Sequence, residues 1–210
     1  MNFGLLKDPI FVVFLVSNCC TSIAFYIPIF CIPQHLEEMG MKSAGSTILL
    51  IYGIVNTLGR IIVGYISDKP FVNRLWVFNF SLVICGIGSA GVVACNQFSE
   101  FAICLSVYGI TISAYVTLRS VILCDLFGLK RLESAFGLLL LFEGIATFVG
   151  HPIAGLLHNK YGSYNPAFWF AGAMIAFSGL ILFALPQLQK YIEKRQLRCG
   201  VDHIENVIAT

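Results

Sequence analysis

Six apolar runs, each long enough to cross a lipid bilayer, constrain this chain more than any other feature. They cover residues 10–33, 43–66, 75–95, 101–124, 134–157 and 167–185. A helix rising ~1.5 Å per residue needs about 20 apolar residues to cross a bilayer core. Within lipid, backbone N–H and C=O groups must be paired inside the segment, so each run is expected to be an α-helix. The fold class that follows is all-α: a six-transmembrane-helix bundle at 10–186, with a lead-in at 1–9 and a polar tail at 187–210. Charged residues make up 11% of the chain and the mean hydropathy is +0.84. Soluble domains carry roughly 25% charged residues, so this chain lacks the shell that would make it soluble. The first run is expected to be a span rather than a signal peptide, since it is too long, Pro28 interrupts it, and no small-residue cleavage site follows.

Charge placement gives an orientation. Lys7, Lys69, Arg74, Lys130, Arg131, Lys190, Lys194, Arg195 and Arg198 fall in one set of loops and ends, against Lys42 and Lys160 in the other. Cytoplasmic loops are the basic ones, so both termini are expected in the cytosol. A net charge of +2 with no basic stripe among aromatics gives no sign of a nucleic-acid partner. The eight cysteines include no C-x-x-C pair and mostly lie in or beside apolar runs, where Cys acts as a small hydrophobe. Neither a metal nor a cofactor is expected. The spans hold no GxSxG, no HExxH and no His/Asp cluster, so an enzyme is not expected.

Two arginines and a glutamate interrupt the apolar runs. Arg60 lies ~9 Å and Arg119 ~8 Å from the inner ends of spans two and four, and Glu143 lies ~14 Å into span five. An ionised side chain at membrane depth faces a wet cavity or a partner, which makes each a functional candidate. Asn56 and Arg60 share a helical face with Gly53 and Ser67. A guanidinium offers parallel donors to a carboxylate and stays charged. The competing reading is an arginine reaching for the interface. Glu143 is expected to be protonated or paired, with Arg119 or Arg60 as partner. Tyr26-Ile27-Pro28 and His151-Pro152 are expected to kink their helices. Gly86, Gly88 and Gly91 are expected to loosen span three, and Cys199 in the tail is a candidate for palmitoylation.

These residues also carry a resemblance. Gly59-Arg60-x-x-x-Gly64-x-x-x-Asp68-Lys69 resembles the loop motif between the eighth and ninth helices of major facilitator superfamily transporters. Within that superfamily the chain is similar to the monocarboxylate transporter family. The supporting stretches are Leu5-Leu6-Lys7-Asp8-Pro9, Asp125-Leu126-Phe127-Gly128-Leu129, Ser134-Ala135-Phe136-Gly137-Leu138-Leu139-Leu140 and Gly150-His151-Pro152-Ile153-Ala154-Gly155.

The resemblance implies transport of monocarboxylates or related small organic anions by alternating access, with proton symport as the family's usual coupling. It implies that this is the second six-helix half of a transporter, and that the chain alone does not transport. It would then be a fragment, a truncated product, or one half paired with a second chain. Arg60 takes the position of the substrate-pairing arginine, with Asn56, Arg119 and Ser120 as further substrate-binding candidates. The family's acidic residue one turn before that arginine is Asn56 here, which cannot take up a proton, so Glu143 becomes the proton-coupling candidate. Ser120 stands where better-known members carry a bulky aromatic. Gly64, Asp68, Lys69 and Arg74 form the expected gating latch. Relatives in the family also carry aromatic amino acids, creatine or iodothyronines, and some require a single-span accessory glycoprotein. A non-transporting or regulatory membrane protein is the second reading.

Overall fold

The computed structural model describes residues 3–41, 44–69 and 71–189, with Phe3 and Lys130 described by their backbones alone. Helices and short turns account for all of them, and six stretches are long and apolar enough to cross a membrane. The first span comprises α1 (Pro9–Phe25) and α2 (Ile27–Glu38). The others are built on α3 (Ala44–Ser67), α4 (Arg74–Gly91), α5 (Phe98–Phe127), α6 (Leu129–Tyr161) and α7 (Asn165–Phe183).

Local chemistry sets the ends of these helices. Asp8 caps α1, its Oδ1 accepting the Ile10 N–H at 3.0 Å, with Pro9 in the first turn where no N–H is needed. The Tyr26-Ile27-Pro28 sequence breaks span one, with Tyr26 separating two helices. Glu100 closes a capping box on α5 by accepting the backbone N–H groups of Asn96 and Gln97 at 2.7 and 3.2 Å. By contrast, α6 continues through Pro152 as one helix.

The polar segment 125–133 reads as a loop in the sequence but is helical except at Gly128, whose φ of 71° turns the chain between α5 and α6. Likewise Glu37 and Glu38 belong to α2. Charged residues at the ends of a long helix remain within reach of water, so their charge does not interrupt the helix. The tail from Lys190, including Cys199, and Lys42 lie outside the described residues.

The main helix pairs are α4 with α7, α3 with α5, α1 with α6, α4 with α5 and α1 with α7. Exchanging spans one, two and three for four, five and six maps this set of pairs onto itself. Inverted three-helix repeats produce such an internal pseudo-twofold. Small residues let the backbones meet. A Cβ on Gly86 would lie 2.6 Å from the Gly172 carbonyl oxygen, and one on Gly172 equally close to that of Gly86. Gly86 therefore tightens the α4–α7 seam, contrary to the loosening expected of it. Gly150 meets the Ile23 carbonyl on α1 more closely still, and Gly59 meets Ser113 on α5. Between α1 and α7, the Ser178 hydroxyl lies 2.7 Å from the hydroxyls of both Ser17 and Thr21. Polar groups at a helix interface in lipid are satisfied in this way.

Candidate functional site

The break at Tyr26 and helices α1, α2, α3, α5 and α6 surround a cavity of about 580 Å³, to which α4 and α7 contribute no lining. Its polar lining includes two one-turn pairs, Asn56–Arg60 on α3 and Tyr115–Arg119 on α5, and Glu143 of α6, beside Ser22, Tyr26, Tyr52 and Thr147. Residues four apart on a helix lie one above the other, so each arginine has a partner one turn earlier on its own helix.

On α3, the Arg60 Nε donates to Asn56 Oδ1 at 3.1 Å, while the Asn56 Nδ2 donates across to the Gly109 carbonyl of α5 at 3.0 Å. Asn56 is buried, and its two ends bond groups of opposite polarity. A carboxylate at this position would confront the Gly109 oxygen with a second acceptor. Among the described residues the terminal nitrogens of Arg60 bond no protein group, and they belong to a residue lining the cavity.

Arg119 is paired with Glu143: its Nη1 donates to Oε2, and the Tyr115 hydroxyl donates to Oε1 at 3.3 Å. The two charged side chains are 15% and 7% exposed, so the pair is substantially removed from solvent. The Arg119 guanidinium also lies 5.6 Å from the Tyr115 ring centre and 5.5 Å from that of Phe136. At this separation a cation gains from the negative face of an aromatic ring. Ser120, next to Arg119 in sequence, is half-buried and is not among the cavity's lining residues.

A second opening of about 500 Å³ lies at the basic end of the bundle, lined in part by Asp68, Lys69, Arg74 and Asp125. Among the residues expected to form a gating latch, Arg74 meets a carboxylate outside that set. Arg74 Nη1 lies 3.1 and 3.0 Å from the two carboxylate oxygens of Asp125, and its Nε donates to the Ser67 carbonyl at 3.0 Å. Asp125, at the end of α5, is thus the carboxylate that meets Arg74. Lys69 folds back over the Tyr65 ring, with Nζ 3.3 Å from the phenol oxygen. Gly64 has no tight neighbour, since a Cβ there would only touch Thr117 at 3.9 Å.

Sequence reasoning missed Tyr115 and Asp125. The signal for Tyr115 was its place one turn before Arg119. For Asp125 there was none, because its contact with Arg74 depends on how α4 and α5 pack.

A family model described as Major Facilitator Superfamily matches residues 14–197. The chain belongs to the major facilitator superfamily. Within it, the likeness is to the monocarboxylate transporter family. The chain is 28% identical over 211 residues to mouse monocarboxylate transporter 10, a match covering 99% of this chain and 41% of that protein. It is 29% identical to the human protein of the same name, over 88% of this chain and 36% of the relative. Against rat monocarboxylate transporter 9 it is 26% identical, over 85% of this chain and 35% of the relative. The chain therefore spans about two-fifths of the length of the curated relatives it matches. As a superfamily member with six helices long and apolar enough to span a bilayer, it is a multi-pass membrane protein.

Proposed function

We propose that this chain forms the second six-helix half of an alternating-access carrier for small organic carboxylates, with both termini in the cytosol of a plasma-membrane protein. The observation that carries the reading is Arg60, held by Asn56 at the edge of a cavity, with its terminal nitrogens bonding no protein group among the described residues. A fixed guanidinium facing a cavity suits a carboxylate, because two parallel N–H groups match two oxygens. Arg119 is already neutralised by Glu143, so Arg60 is the cation that a substrate anion would meet. Glu143 carries the proton: taking one up would release Arg119 and change the cavity's charge. Asn56 has no part in that step and acts by positioning Arg60.

The cavity's open side supports the two-half reading. Of the four spans lining it, α3 and α6 are the least buried, and they expose Leu50, Ile61 and Tyr65 on one and Phe148 and Leu156 on the other. A carrier of this architecture holds its substrate between two halves, and the first half would cover these helices. Transport measured on the chain joined to a first six-helix half, with Arg60→Ala and Arg60→Lys, tests the assignment. Carboxylate uptake should fall to background with alanine and be weakened, with a raised KM, by lysine. Undiminished uptake by the alanine variant would exclude Arg60 as the anchor.

A further inference from the structure

Among the described cysteines, Cys95 and Cys104 stand apart. Cys95 follows the short 3-10 turn Val92–Ala94 that ends α4, and Cys104 lies two turns into α5. Their sulfurs are 3.4 Å apart, in direct contact, and both thiols are free. We propose that this pair is a redox-reversible disulfide site that locks the turn between α4 and α5.

The geometry favours closure. A disulfide bond is ~2.05 Å long, so the sulfurs must approach by little more than an ångström. Cys95 can supply that movement, because it sits outside the helices on extended backbone with φ −79° and ψ 133°. The turn itself is held in register by the Glu100 capping box on the Asn96 and Gln97 amides. Cys104 is half-buried and Cys95 is 6% exposed, which makes Cys104 the sulfur an incoming reagent reaches first.

The oxidant is a small-molecule disulfide such as oxidised glutathione. The Cys104 sulfur attacks it, forming a mixed disulfide and releasing one small thiol. The Cys95 sulfur then attacks the Cys104 sulfur, the protein disulfide forms, and the second small thiol leaves. The two protons of the cysteine thiols end on the two released thiols, and the two electrons reduce the oxidant. The turn lies at the end of the bundle opposite Lys69, Arg74 and Arg131. On the orientation proposed above, that is the non-cytosolic side, where disulfides persist.

The test uses the full chain, purified in detergent, treated with oxidised glutathione, denatured, alkylated and mapped by mass spectrometry. The expected product is a linked Cys95–Cys104 peptide pair lacking the mass of two hydrogen atoms, restored by dithiothreitol and absent from Cys104→Ser. It should also raise the midpoint of thermal unfolding relative to the reduced chain. Recovery of both cysteines alkylated, or of Cys95 linked to any other residue, would overturn the site. In intact cells, a membrane-impermeant oxidant should produce the same linkage. Its failure there, with success on purified protein, would overturn the orientation and leave the site standing.

Discussion

Asn56 sets the terms at the scale of single residues. It donates to the Gly109 carbonyl while accepting from Arg60, a combination that an ionised aspartate cannot reproduce. Asn56→Asp should therefore weaken the α3–α5 contact even as it strengthens the attraction to Arg60, and Asn56→Ala should free the guanidinium. Hydrogen bonds to charged groups contribute roughly 1.5–3 kcal/mol, so alanine should raise the KM for a carboxylate by about tenfold or more with little change in maximal rate. Uptake kinetics on the completed carrier check this. Glu143 bears on coupling. If it carries the proton, uptake should rise as the outside pH falls, and Glu143→Gln should flatten that dependence. A variant with the wild-type pH profile would remove Glu143 from the mechanism. Glu143→Leu differs, because it strands Arg119 without its carboxylate. Breaking a buried ion pair from one side costs roughly 3–5 kcal/mol, so its thermal midpoint should fall well below that of the glutamine variant.

Helix contacts decide the next scale, and here the glycines can be ranked in advance. Gly86 and Gly150 meet carbonyl oxygens of facing helices, whereas Gly53 and Gly137 have open space around them. Gly86→Ala and Gly150→Ala should each lower the thermal midpoint in detergent, while Gly53→Ala and Gly137→Ala should leave it nearly unchanged. Equal behaviour of the four would contradict the packing. The Arg74–Asp125 contact is of another kind. Its side chains are 33% and 49% exposed, and pairs this open contribute about 0–1 kcal/mol. Asp125→Asn should therefore barely shift the melting curve, and any effect should appear in transport rate. Apolar run length and turn residues made the six spans and the break at Tyr26 legible in the sequence. What ran ahead of them was helix continuation through 125–133, because charge at a helix end was read as a loop although water still reaches it there.

Across the whole molecule, helix pairing is nearly symmetric while chemistry is not. Spans two and five are equivalent in the pairing, yet one holds Arg60 with its neutral amide and the other holds Glu143, paired with Arg119 of span four. Those residues were legible in the sequence as ionisable groups in apolar runs, and so was the Arg119–Glu143 pairing as one of two options. Asp125 and the displacement of Ser120 from the cavity lining were not, because each depends on which faces of neighbouring helices meet, and Tyr115 was marked only by its place one turn before Arg119. The α3 and α6 faces that the six helices leave uncovered fit a cavity completed by a further half. Arg60 is proposed to recognise a carboxylate within that cavity. The most direct test of this recognition is uptake of a labelled monocarboxylate and of its neutral amide analogue by the completed carrier, with Arg60 and with Arg60→Ala. Carboxylate uptake should exceed amide uptake and be lost in the alanine variant. Carboxylate uptake that survives Arg60→Ala at an unchanged KM would contradict that role for Arg60.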